Sequence, residues 1–232
     1  EKGMSGIMTL YHGSERIIRE PVFGGGRESD DFGRGFYCTE NAELARERAV
    51  SALKDGFCSR YSLDTENLNT LRLNSEEYSI LNWIAVLVQH RLFSVKTPGA
   101  RRAKCYFTDN FSINVSAYDL IIGYRADDSY FDFAESFLNN GISVSQLARA
   151  MRLGKPGEQA VLKSKFAFSR LRFEDAELVK KKQYFEKRQA RSDEANKIYQ
   201  QIQDQEDDEL YIQDIIRGGI TNDDPRIPRN LS

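Results

Sequence analysis

Cysteine is scarce in this 232-residue chain: Cys38, Cys58 and Cys105 stand alone, and no CxxC spacing brings two thiolates onto one zinc. No metal site is expected, and isolated thiols, odd in number, fit a reducing compartment. An excess of one charge is missing as well. With 33 basic residues against 35 acidic ones the formal net charge is -2, so no global positive field would hold nucleic acid or an anionic membrane. Long apolar runs are also absent. The longest stretch, around Ile84 to Val88, is too short to span a bilayer, and Glu1 to Met8 contain no signal-peptide core. A cytoplasmic location without membrane contact is the expectation. Internal repeats, low-complexity segments, a P-loop, a GxSxG elbow and an HExxH pair are all lacking. Gly24-Gly25-Gly26 is no dinucleotide fingerprint of the doubly wound kind, since no acidic residue follows at the expected place after a βαβ unit.

What is present is enough for one core: 40% of the residues are hydrophobic. Met8 to Tyr11 reads as a short strand ending at a His-Gly turn, and Gly35 to Cys38 as a second strand entered through the glycine-rich loop Pro21 to Arg34. A helix is expected over Asn41 to about Ala52 and a strand over Phe57 to Leu63. Ser75 is expected to open the clearest helix, with Ile80, Leu81, Ile84, Leu87, Val88 and Leu92 as its apolar stripe. Tyr118 to Gly123 has the density of a buried strand. A helix over Phe131 to Leu138 and a capping box at Ser143 and Gln146 follow, the second helix stopping at Gly154. Strands are expected over Gln159 to Lys163 and Phe173 to Val179. Residues 8–179 then form the domain, and residues 180–232 a helical extension packed on it: a charged helix over Lys180 to about Asp204, a short one over Leu210 to Ile216, and a tail. The basic cluster Arg101-Arg102-Ala103-Lys104 is read as solvated surface in a loop with Tyr106 and Phe107, where it could meet a phosphate backbone.

Three short contexts carry chemistry. Only two histidines occur; His90 reads as structural, whereas His12 follows a strand in Tyr11-His12-Gly13-Ser14. Its imidazole suits a ribose hydroxyl, and Gly13, lacking a side chain, lets its own N–H and C=O approach a carboxamide. Tyr37 lies in Gly33-Arg34-Gly35-Phe36-Tyr37-Cys38-Thr39. A phenol ring stacks on a flat heterocycle, Gly33, Gly35 and Thr39 clear space, and Arg34 offers a cation for a pyrophosphate. Phe36 alternates with it and should point into the core. In Gly157-Glu158-Gln159-Ala160-Val161 only one of Glu158 and Gln159 can face a cleft. Asp127 and Asp128, just beyond a strand, fit either a helix cap or a carboxylate recruited to assist.

Together His12, Tyr37 and Gln159 resemble the His, Tyr, Glu triad of ADP-ribosyltransferases, with glutamine in the last place. The wording from Leu10 to about Val179, through Tyr118 to Asp128 and on to Leu210 to Ile215 with Asp223-Asp224-Pro225, is similar to a bacterial group of formerly unknown function in that superfamily. The resemblance implies an α+β fold with a split β-core, a dinucleotide cleft and flanking helices. It implies NAD+ as substrate, held by His12, Gly13, Ser14, Arg34, Gly35, Tyr37 and Thr39, with His12, Tyr37 and Gln159 as the catalytic set. The activity implied is mono-ADP-ribosylation of a macromolecular acceptor, protein or nucleic acid, as a bacterial toxin with an antitoxin or inhibitor partner, or as a phage-defence effector. Two other readings stay open: a non-catalytic module binding NAD, ADP-ribose or a partner, and an NAD glycohydrolase using water as acceptor.

Overall fold

Strand β1 (Ile7–Ser14) pairs along its whole length with β3 (Gly56–Asp64), which pairs on its other edge with β7 (Leu171–Val179). The result is a three-stranded antiparallel sheet in the order β1-β3-β7. These strands come from a computed structural model that describes residues 6–93, 97–126, 129–154, 157–205 and 210–230. β1 is longer than its sequence suggests. His12, Gly13 and Ser14 stay in register opposite Ser59, Cys58 and Phe57 and form no turn, because β3 is long enough to pair them. Alternation along β1 and β3 buries Leu10, Tyr61 and Leu63 on one face.

A second sheet has the order β2-β6-β5-β4, built from β2 (Phe36–Cys38), β4 (Thr70–Arg72), β5 (Leu120–Tyr124) and β6 (Glu158–Leu162). Its β4 and β5 run parallel and its other neighbours antiparallel. The two sheets touch where β1 meets the end of β2. Tyr11 and Thr39 exchange N–H to O=C bonds of 2.8 and 2.9 Å, an isolated bridge beyond which the strands part.

Helices cover both sheets. α1 (Ala42–Ala49) is capped by Asn41, whose side chain accepts from the N–H groups of Glu43 and Leu44. α2 (Ile80–His90) is apolar nearly all round and is buried from Ile80 to Val88. Its start corrects the expectation. Ser75 to Tyr78 form turns, and the capping box is Ser79 with Asn82, whose Oδ1 accepts from the Ser79 N–H at 2.8 Å. Leu92 lies past the helix end and is exposed. A second correction is α3 (Pro98–Asn110). The Arg101 to Lys104 cluster sits on this helix, opened by Thr97 as cap and Pro98 in the first turn, and Phe107 is fully buried beneath it.

α4 (Ser129–Leu138) and α5 (Val144–Gly154) continue the core, and the capping box forms as its spacing predicts, with Ser143 and Gln146 exchanging bonds of 2.9 and 3.0 Å. The short α6 (Lys165–Ser169) links β6 to β7. The long α7 (Lys181–Gln203) lies across α1 and α5, tied by Arg191 to Glu47 at 2.8 Å and by Lys187 to Glu43 at 2.9 Å. α8 (Ile212–Arg217) and the chain after it insert Ile212, Ile215, Ile220 and Ile227 into the same core as Trp83 and Phe137. The fold is therefore α+β with two sheets. Among the described residues no helix is long and apolar enough to cross a membrane, and no group of three or more His, Cys, Asp or Glu could hold a metal ion.

Candidate functional site

Where β1 and β2 diverge, a cleft of about 960 Å³ opens between the sheets. Its wall contains His12, Gly13, Ser14, Gly35, Tyr37, Thr39 and Gln159. Residues far apart in the chain thus face one space, drawn from β1, β2 and β6.

His12 bonds across the seam: its Nδ1 lies 2.7 Å from the Tyr37 carbonyl oxygen. A carbonyl only accepts, so Nδ1 carries the proton and Nε2 is left as an acceptor. Burial lowers the imidazole below its ordinary value of 6.5, the bond to the Tyr37 carbonyl opposes this, and nearby Arg48 lowers it further. The ring also lies against Phe36, centroids 4.6 Å apart. The outcome is a neutral, oriented histidine.

Gly13 serves two masters. A Cβ there would sit 1.9 Å from the Ala45 carbonyl oxygen, so the glycine is required by the packing of α1 on β1. Its main-chain groups point elsewhere. Tyr11 spends its N–H and C=O on Thr39, away from β3, and alternation along the strand turns those of Gly13 the same way, into the gap past the bridge. Ser14, next in line, donates its hydroxyl to the Arg16 carbonyl at 2.7 Å.

Tyr37 is fixed through its hydroxyl, which donates to the Gly33 carbonyl at 2.6 Å and accepts from the Phe32 N–H at 2.9 Å. Burial raises this phenol far above its ordinary value, so it stays neutral. The bonds hold the segment before β2 and leave the ring as the part that lines the cleft. Phe36 points to the opposite face and is buried, as alternation requires. Gly35 lies against β6, where a Cβ would come 2.6 Å from Val161 Cγ1. Arg34 is placed differently from the rest. It is exposed, pairs with Glu28 at 3.2 Å and reaches the Gly24 carbonyl, and it does not line the cleft. The arginines in the wall include Arg16, Arg19, Arg48, Arg91 and Arg125.

β6 settles the choice between Glu158 and Gln159. Glu158 is exposed on the outer side, where it accepts from Asn74 at 2.8 Å; Gln159 is buried in the cleft wall. The Gln159 amide has an unforeseen neighbour. Its Nε2 donates to Asp31 Oδ2 at 2.8 Å and, more weakly, to the Tyr124 carbonyl at 3.3 Å. The same Oδ2 accepts from the Ala126 N–H at 3.0 Å, and Asp31 Oδ1 pairs with Arg91 at 3.0 Å. Arg91 is in turn held 4.5 Å over the Phe131 ring. Asp31 is thus a buried carboxylate at the cleft, joining β6 and Arg91, the residue that caps the end of α2, to the segment before β2. Sequence alone offered no role for it, although the residue lies two positions before the Gly33 to Thr39 context. The residues it bonds lie 60 to 128 positions away. Asp127 and Asp128, read as a cap or an assisting carboxylate, lie outside the described residues, as do Lys155 and Pro156.

In chemical terms the cleft offers a neutral imidazole acceptor, an open backbone N–H and C=O, an aromatic face, and a glutamine backed by a carboxylate. Such a set can accept from a hydroxyl, pair with an amide and stack a flat ring. One family model matches residues 8–173, described as a protein of unknown function (DUF3990). No curated protein and no solved structure matches the chain.

Proposed function

The chain belongs to the DUF3990 family, and we propose that it is an NAD-dependent mono-ADP-ribosyltransferase with an ADP-ribosyltransferase-like split β-core. The observation that carries this reading is the convergence of His12, Tyr37 and Gln159, from three strands of two sheets, on one cleft at the seam. NAD+ is the substrate. Gly13 takes the carboxamide on its free backbone pair, Tyr37 stacks the nicotinamide, and His12 Nε2 accepts from a hydroxyl of the adenosine ribose. Gln159 faces the ribose that reacts. The bond from C1′ to the nicotinamide nitrogen breaks with its electron pair leaving on nicotinamide, and positive charge develops on the ribose. A nucleophile of the acceptor then bonds C1′ and gives up its proton. The wall holds the reactants in line and contributes negative charge beside the developing cation. The neutral amide at position 159 supports transfer of a single unit, because activating a ribose hydroxyl for chain growth relies on a carboxylate there.

The test is nicotinamide release from NAD+ by the purified protein, alone and with cell lysate, beside Tyr37→Ala and Gln159→Ala. Release that rises with lysate, transfers labelled ADP-ribose to macromolecules and vanishes in both variants supports the transferase. Free ADP-ribose with no labelled macromolecule replaces it by a glycohydrolase. The same neutral amide favours one second reading, a module that binds NAD without chemistry; NAD binding with no release under any condition establishes that instead.

A further inference from the structure

Gln159 lacks the charge that stabilises a cationic ribose, yet its amide is bonded to a buried carboxylate. We infer that Asp31 is a positioning residue that, through Gln159, supplies the missing charge and fixes the acceptor that faces the ribose. This rests on the transferase reading above, and three observations carry it.

The first is orientation. Asp31 Oδ2, an acceptor, lies 2.8 Å from Gln159 Nε2, and the Tyr124 carbonyl, also an acceptor, lies on the same side. The amide is therefore held with Nε2 toward Asp31 and Oε1 toward the cleft, where it accepts a hydroxyl proton. The second is polarisation. Donation from an amide N–H to a carboxylate is a charge-assisted bond, and it shifts electron density toward Oε1. The third is rigidity. Asp31 accepts from the Ala126 N–H and from Arg91 besides Gln159, so it cannot swing away when a ligand enters. Arg91 approaches Oδ1, so its guanidinium does not compete with Gln159 for Oδ2. The two residues divide between them what one glutamate does elsewhere: Asp31 holds the charge and Gln159 makes the contact.

Three variants separate this role from mere packing: D31N, Q159E and the exchange D31N/Q159E, which keeps the net charge and a bond between positions 31 and 159 while moving the charge to position 159, at the cost of the Ala126 N–H bond to position 31. D31N should lower kcat for nicotinamide release by at least about tenfold while KM for NAD+ stays within about threefold, the pattern of a lost transition-state interaction. The exchange should recover most of that loss. Q159E alone sets two carboxylates side by side next to Arg91, and their repulsion should add a step to the pH profile of kcat compared with the natural protein. An unchanged kcat in D31N, or an exchange no better than D31N, overturns the inference and leaves the transferase intact. Calorimetric binding of NAD+ and of its analogue lacking the 2′-hydroxyl on the nicotinamide ribose gives a readout independent of turnover. The natural protein should prefer NAD+ by no more than about threefold, the margin allowed for KM, and D31N should bind the two alike; equal preference in both overturns the role of Asp31 even if no release is seen. Protein that neither binds nor cleaves NAD+ overturns both the reading and the inference.

Discussion

His12 shows how a single residue's surroundings set its protonation. Its folded-state value is lowered, so the unfolded chain takes up a proton near 6.5 more readily than the native protein does. Stability linked to His12 is complete above that pH and is lost progressively as the pH falls below it. His90 adds to the same trend, since burial and then Lys163 lower it, and its Nε2 is buried without a partner. We expect thermal stability to decline between about pH 6.5 and pH 5, with a shallower slope in His12→Gln, measured by scanning calorimetry across that range. A slope unchanged by the substitution contradicts the assignment. His12→Ala should weaken NAD+ binding by about tenfold, or ~1.4 kcal/mol, the scale of one lost hydrogen bond.

Among the elements, α1 is seated by glycines beneath it. Gly13 and Gly56 each come so near its backbone that a Cβ would meet the carbonyl oxygens of Ala45 and Ala49 at 1.9 Å. Gly13→Ala should therefore displace the helix and cost about 3 kcal/mol, or roughly 6–12 °C in Tm for a chain this size. Gly6→Ala, with open space around it, should leave Tm unchanged. Most elements were legible because their signals are local. Asn41, and Ser143 with Gln146, mark helix starts, and the dense run through Leu120 to Gly123 marks a buried strand. The failures have physical causes. Ser75 and Ser79 both precede the apolar run, and only the packing of Asn82 against the Phe111 carbonyl and Asn222 selects the second. Thr97-Pro98 carried a helix-start signal, but the basic residues after it masked the buried Ala103 and Phe107. The edge strand β4 has three residues and owes its form to β5. Of the cleft, His12, Tyr37 and Gln159 could be read from local context, whereas Asp31 gains its meaning only from partners folded against it.

At the scale of the whole molecule, the described part of the extension, residues 180–205 and 210–230, shares the core of the domain. Ala195, Ile202, Ile212, Ile215, Ile220 and Ile227 join the largest buried cluster, and Arg191 and Lys187 pair with α1. A chain ending at Val179 would expose that surface and is expected to lose its cooperative melting transition in calorimetry. A truncated chain that melts sharply near the Tm of the full one would show the extension to be dispensable.

The strand order also bears on synthesis. His12 and Tyr37 leave the ribosome ahead of Gln159, and β1 finds its partner β3 soon after. β2 has no such early partner: its ladder is made with β6, more than a hundred residues later, and only a single bridged pair ties it to β1. The same delay governs Gln159, which arrives with β6. A nascent chain that stops short of β6 therefore carries His12 and Tyr37 without the strand that completes the cleft, and under the proposed function any reaction on NAD+ must await β6.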